Sequence, residues 1–125
     1  MKYILVFVMI ALLTVSCSKE LDYLSDDFIP GEGEEVWVFF ETQCADPWYK
    51  PAESYRINDN EKVSAMIDYL IKEEIVVIKA KYQFDPSNAI ACTACNCQTG
   101  GLFMILINSD ENVSAKLRNI GFSRY

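Results

Sequence analysis

The chain contains no histidine, and this absence removes much of ordinary enzyme chemistry from consideration. Histidine is the side chain that titrates near neutral pH, so it is the usual general base and the usual partner of a nucleophilic serine or cysteine. It is also a ligand in mixed zinc sites. The sequence therefore argues against catalysis by a Ser-His or Cys-His pair and against any metal site that needs imidazole.

Basic side chains are also scarce, with 11 Lys and Arg against 18 Asp and Glu and a formal net charge of -7. Proteins that bind nucleic acid need clusters of Lys and Arg to neutralise phosphates. We therefore expect no nucleic-acid partner.

The 125 residues are enough for one small domain.

Residues 1–16 have the pattern of an export signal. Lys2 supplies a positive charge, and residues 3–15 form an uncharged apolar run that is shorter than the ~20 residues of a spanning helix. Leu13-Thr14-Val15-Ser16-Cys17 resembles a bacterial lipobox, with Thr14 in place of the usual leucine. The resemblance implies cleavage after residue 16 and a lipid anchor at Cys17. The alternative is an ordinary secreted protein in which this cysteine lies near the cleavage site.

The residue that follows Cys17 indicates the membrane to which such a lipoprotein is sorted. It is Ser18, whereas an aspartate there retains lipoproteins of the enteric type at the inner membrane. The lipobox resemblance therefore implies a lipid-anchored protein of the cell envelope, in contact with the outer membrane through Cys17. Its further partner is an envelope protein or ligand that the sequence leaves open.

Residues 17–35 are predicted to form a lipidated acidic tether. Residues 18–35 include seven acidic side chains and a single lysine, together with Pro30, Gly31 and Gly33. Such a composition buries little surface, which favours an extended, partly ordered stalk. Five apolar residues interrupt it and are able to dock on the domain instead: Leu21, Tyr23, Leu24, Phe28 and Ile29.

Residues 36–125 are predicted to be a cysteine-containing α+β domain with the order β-α-β-β-α. The pattern predicts strands at 36–40, 75–84 and 102–107, and helices at 58–73 and 111–119. A right-handed crossover makes the first two strands parallel, and the continuous apolar run of the third suits a central position. We expect a three-stranded mixed sheet of order 1-3-2, with both helices on one face.

Four cysteines are expected to converge at one edge of this sheet. Cys44 follows the first strand, and Cys92, Cys95 and Cys97 follow the second. Because parallel strands end at the same edge, Cys44 should lie within bonding range of at least one of the other three. Trp48 and Tyr49 come from the same loop as Cys44 and form either a contact platform or a cover over the disulfide or the sheet edge.

Three interpretations of the cysteines are open. Two disulfides are typical of a small exported domain, as Cys44–Cys95 with Cys92–Cys97 or as Cys44–Cys97 with Cys92–Cys95. A Cys95–Cys97 bridge would be a very tight ring, so its complement Cys44–Cys92 is the least favoured pairing. A four-thiolate zinc site is the second interpretation, although no cofactor is the main expectation. The third is thiol redox chemistry through Cys92-x-x-Cys95.

A further resemblance covers about residues 36–122. Thr42-x-Cys44-Ala45-Asp46-Pro47-Trp48, the later cysteine cluster, Thr99-Gly100 and Leu117…Gly121-Phe122 are similar to a family of small uncharacterised bacterial lipoproteins. This resemblance brings no activity with it. The sequence thus favours a non-catalytic, disulfide-stabilised binding or surface module of the envelope, with a four-cysteine metal-binding or thiol-redox protein as the alternative.

Overall fold

The computed structural model describes residues 28–50, 53–54, 56–92 and 94–125. The predicted signal peptide, Cys17 and residues 18–27 of the predicted tether lie outside the described residues. The elements are, in chain order, β1 (Glu34–Thr42), α1 (Asp59–Lys72), β2 (Lys79–Phe84), a 3-10 turn (Pro86–Asn88), β3 (Gln98–Asn108), α2 (Glu111–Ile120) and β4 (Ser123–Arg124). The predicted small α+β domain is confirmed.

The described strands form one sheet in the order β2-β3-β1-β4. Every neighbouring pair is antiparallel, with Trp37 opposite Ile105 and Tyr82 opposite Phe103. The predicted central place of β3 is confirmed, and β1 and β2 point the same way because both run against β3. The prediction is wrong in calling the sheet mixed and in giving it three strands.

The strand that the sequence did not predict is β4, which has two exposed residues. It pairs with the free edge of β1, where Arg124 lies opposite Trp37 and the Tyr125 amide donates to the Val36 carbonyl at 2.9 Å. Two residues are too few to show the alternation that identifies a strand. The pairing depends on backbone hydrogen bonds, which do not require particular side chains and so cannot be predicted from the residue types.

Helix α1 begins at the predicted cap. The Asn58 side-chain oxygen accepts a hydrogen bond from the backbone amide of Glu61 at 2.9 Å. The backbone amide of Asn58 in turn donates to the Glu61 carboxylate at 2.8 Å. This reciprocal pair is a capping box, which satisfies two amides that a helix start leaves free. The helix buries Val63, Met66 and Leu70 on the sheet.

Helix α2 is closed by a glycine in the left-handed region. Gly121 has a φ of 119°, and the next amide, that of Phe122, donates to the Leu117 carbonyl at 2.9 Å. Glycine adopts this conformation without the steric cost that other residues carry. The turn points Phe122 back into the core, where it is 3 % exposed.

The main core lies between one face of the sheet and both helices, as predicted. It contains sheet residues together with helical residues, among them Trp37, Phe39, Phe103, Ile105, Ile107, Val63, Met66, Leu70 and Leu117. The predicted second strand begins four residues too early, because Ile75 and Val77 enter this core from the connection before β2.

The opposite face of the sheet has its own apolar cluster. Val36 and Val38 of β1 pack with Met104 and Leu106 of β3, and we call these four residues the second sheet face. The described side chains packed against them are Phe28, Ile78 and Leu102. Neither helix contributes to this cluster, so the sheet separates two distinct apolar layers.

Candidate functional site

The four cysteines of the domain form two disulfides. Cys44 pairs with Cys95, with their Cα atoms 4.6 Å apart, and Cys92 pairs with Cys97, with their Cα atoms 6.1 Å apart. The predicted convergence and the disulfide interpretation are confirmed, with one of the two favoured pairings. The zinc alternative is not supported, because the thiols are paired and the described part of the chain holds no group of three or more Cys, Asp or Glu arranged to hold a metal ion.

The convergence arises from the pairing of β1 with β3. Beyond the end of β1, the amides of Gln43 and Cys44 donate to the carbonyls of Cys97 and Cys95 at 2.9 and 3.0 Å. The Gln43 side chain also donates to the Cys92 carbonyl at 2.9 Å. The antiparallel ladder therefore continues past the strand ends and places Cys44 directly beside the cysteine segment.

Trp48 and Tyr49 contact each other edge-on, with ring centroids 6.2 Å apart, but they differ in exposure and in polar partners. Trp48 is 8 % exposed, and its ring meets those of Phe39 and Phe103 edge-on, with centroid distances of 4.6 and 5.1 Å. Tyr49 is half-buried, and its hydroxyl donates to Glu41 at 3.0 Å. Trp48 thus closes the end of the core beneath the Cys44 loop, and the two rings do not stand together on the surface.

A buried polar cluster, which was not predicted from the sequence, is centred on Glu41 of β1. Glu41 is 2 % exposed, and its carboxylate accepts from the hydroxyls of Tyr49, Tyr82 and Thr99 and from the Lys62 ammonium. The donor–acceptor distances are 3.0, 3.0, 2.7 and 2.9 Å. We call these five residues the Glu41 cluster. The missed signal is strand alternation, which puts Glu41 on the same face as Trp37 and Phe39.

The charge in this cluster is balanced and its phenols stay protonated. Burial, followed by the negative charge of Glu41, raises the pKa of Tyr49 and of Tyr82 well above the usual range. Lys62 forms an ion pair with Glu41 and lies 4.6 Å from the centroid of the Tyr82 ring. The phenols therefore act as hydrogen-bond donors to the carboxylate and are poor candidates for general bases.

Glycine is required at position 101 beside this cluster. A Cβ atom there would lie 2.8 Å from a Glu41 carboxylate oxygen and 2.7 Å from Cε2 of Tyr82. Real Cβ contacts are essentially never that short. The start of β3 thus lacks a side chain because the polar cluster of β1 and β2 fills the space.

A cleft of about 320 Å³ opens beside the Glu41 cluster. Four members of the Glu41 cluster line it, together with Ser54, Asp59 and Phe84. Phe84 is 59 % exposed, so an aromatic surface stands next to charged and hydroxyl groups. The cleft has the mixture of polar and apolar groups that small-molecule sites use, at the small end of their size range.

Asp46 is a second buried carboxylate, in the loop that carries Cys44. It is 3 % exposed and accepts from the Thr42 amide at 3.0 Å and from the Thr42 hydroxyl at 2.6 Å. Burial is the largest effect and raises its pKa from 3.8 to about 6, although the Thr42 hydrogen bonds oppose the shift. The folded state therefore binds this proton more tightly than the unfolded state.

The raised pKa predicts a pH dependence of stability. Between pH 3.8 and about 6 the folded protein holds more protons at Asp46 than the unfolded chain does, so the contribution of this group to the free energy of unfolding falls as the pH rises. Urea unfolding of the parent and of Asp46→Asn at several pH values measures this contribution to the free energy of unfolding. We expect the parent to lose stability relative to the variant across this range and to change little relative to it above pH 7. A constant difference would contradict the assignment.

No protein-family model, curated protein or solved structure matches this chain. The resemblance to small bacterial lipoproteins over residues 36–122 therefore stays a prediction. Among the described residues, no helix has the length and apolar character needed to cross a membrane.

Proposed function

We propose that the protein is a lipid-anchored, non-catalytic binding or surface module of the bacterial cell envelope, attached at the outer membrane through Cys17. The observation that carries this proposal is the pair of disulfides, Cys44–Cys95 and Cys92–Cys97. Disulfides persist in compartments outside the cytosol and are common in small exported domains. They agree with the export signal and lipobox pattern of residues 1–17.

The Glu41 cluster supports a binding or structural role over a catalytic one. Its carboxylate already accepts hydrogen bonds from four side chains, and the chain has no histidine to serve as a base near neutral pH. A saturated cluster of this kind rigidifies its surroundings. It provides a fixed wall for the adjacent 320 Å³ cleft, which suits the binding of a ligand or of a side chain from an envelope protein.

Labelling with radioactive palmitate tests the anchor. In the bacterial host we expect the parent to incorporate label and to fractionate with the outer membrane, and Cys17→Ala to do neither. Ser18→Ala is the matched control, because it changes the neighbouring residue and keeps the cysteine. Equal label in the parent and in Cys17→Ala would overturn the lipoprotein assignment.

A thiol-redox role is the second candidate function, and the solvent exposure of three of the four disulfide-bonded cysteines favours it. Cys44, Cys92 and Cys95 are exposed, and Cys97 is 4 % exposed. Exchange requires a thiolate to reach a disulfide sulfur, and each of the two bridges includes at least one exposed cysteine. Alkylation and zinc analysis of denatured protein from the envelope separate the candidates. The structural role predicts no free thiol among these four and no zinc, whereas a redox role predicts a mixture of reduced and oxidised pairs.

A further inference from the structure

The second sheet face is a buried apolar layer on the side of the sheet away from the helices. Its four residues, Val36, Val38, Met104 and Leu106, are 2 to 8 % exposed. A sheet face reaches such burial when another layer of the protein packs on it. Both described helices pack on the opposite face, so this layer has a different source.

The described residues show where such a layer begins. Leu102 belongs to β3 and Ile78 immediately precedes β2, whereas Phe28 comes from the part of the chain that precedes β1. The Phe28 ring packs on the cluster, with the Lys81 ammonium 5.2 Å from its centroid. The chain therefore lies on this face of the sheet before it turns into β1.

The sequence immediately before Phe28 suits the rest of this face. Leu21, Tyr23 and Leu24 supply apolar side chains, and Asp22, Asp26 and Asp27 supply negative charge. In β2, Lys81 lies opposite Met104 and Lys79 opposite Leu106, so the edge of the second sheet face carries positive charge. Apolar and charged groups of the segment thus match those of the surface.

The segment is also long enough. Seven residues, 21–27, span up to about 25 Å when extended. The three strands β2, β3 and β1 lie side by side across about 10 Å. A chain that starts at Phe28 can therefore cross the whole face.

We propose that residues 21–27 dock on the second sheet face, with Leu21, Tyr23 and Leu24 against its apolar side chains and the aspartates toward the lysines of β2. The tether is then a third layer of the domain, and the extended stalk expected from its composition is restricted to the few residues that precede position 21.

Docking sets the distance between the domain and the membrane, a step that rests on the proposed lipid at Cys17. Leu21 is four residue steps after Cys17, a distance of about 14 Å in an extended chain, whereas Phe28 is eleven steps after it, a distance of about 40 Å. A docked tether holds the domain against the membrane surface in a restricted orientation. An undocked one lets it move freely within reach of the longer stalk.

Two methionines report on the two faces of the sheet. After removal of residues 1–16 the chain retains Met66, in the main core, and Met104, on the second sheet face. In the processed full chain with ¹³C-labelled methionine methyls, a soluble gadolinium chelate relaxes exposed methyls selectively. We expect both methyls to be protected in the parent. In Leu21→Ser/Tyr23→Ser/Leu24→Ser, relaxation of Met104 should increase several-fold while Met66 stays unchanged.

Ile29→Ser is the matched control, because Ile29 belongs to the same predicted tether, lies outside the proposed docking segment 21–27 and is 80 % exposed. It should leave both methyls protected. If Met104 is relaxed equally in the parent and the triple variant, whether protected or exposed in both, the docking proposal is overturned. If unfolding of the triple variant relaxes Met66 as well, the single variant Leu24→Ser decides by the same criterion. The readout needs no lipid, so failure of palmitate labelling would remove the membrane distance and leave the docking result intact.

Discussion

Replacing Cys44 and Cys95 together with serine is expected to lower the free energy of unfolding by about 4 kcal/mol. The two cysteines are 51 residues apart, so their bond restricts a large loop of the unfolded chain. For a domain of this size the loss corresponds to a fall in melting temperature of roughly 15 °C or more. Urea unfolding without reductant, followed by tryptophan fluorescence, measures it.

The second disulfide supplies a matched control. Cys92 and Cys97 are only five residues apart, and the same chain-entropy relation gives about 2 kcal/mol for their bond. Cys92→Ser/Cys97→Ser should therefore cost about half as much as the other pair. Equal losses from the two variants, or a smaller loss from Cys44→Ser/Cys95→Ser, would contradict the explanation by loop length.

Glu41→Gln is expected to destabilise the domain by about 3 kcal/mol or more. The substitution keeps the shape of the side chain and removes the charge that Lys62 and three hydroxyls surround. The Lys62 side chain is 12 % exposed and would be left as a largely buried ammonium without its carboxylate partner. Thermal and urea unfolding of the parent and the variant measure the loss.

A double variant shows whether the unpaired charge causes the loss. Adding Lys62→Met to Glu41→Gln removes the unpaired ammonium and fills its space with an apolar side chain. The double variant should therefore regain much of the stability that Glu41→Gln loses. Glu74→Gln is the exposed comparison, because Glu74 is 88 % exposed in its pair with Lys116 and should change stability by less than about 0.5 kcal/mol. A double variant as unstable as Glu41→Gln alone would show that the hydroxyl contacts, and not the ion pair, dominate.

The parts of the fold that the sequence predicts well are those with a local pattern. The spacing of Val63, Met66 and Leu70 after the capping residue Asn58 identifies α1 at both ends. The unbroken apolar run around Ile105 places β3 at the centre of the sheet. In each case the burial that the pattern implies is the burial that the structure has.

The parts that escape prediction depend on partners far away in the chain. Glu41 looks like an ordinary charged strand end until Lys62 of α1, Tyr82 of β2 and Thr99 of β3 surround it. No short window contains those partners. The requirement for Gly101 is hidden for the same reason, because the atoms that exclude a side chain there belong to Glu41 and Tyr82.

The cysteines fall between these cases. Their convergence follows from the direction of the strands, which the sequence suggests through the crossover between the first two. The contact itself is made by the continued β1–β3 ladder, where Cys44 hydrogen-bonds Cys95. Spacing alone left two pairings open, and the register of that ladder selects Cys44–Cys95.

The pairing of β1 imposes an order of events on folding. The first residue of β1, Glu34, lies opposite the last residue of β3, Asn108, and the other neighbour of β1, β4, comes later still. Contacts between such distant parts of a chain form slowly, because a long loop must close first. A nascent chain that has emerged only as far as α1 has neither of the strands with which β1 pairs. Trp37 and Phe39 therefore gain their β3 neighbours only once β3 is present, and we expect the sheet to form late in the folding of this domain.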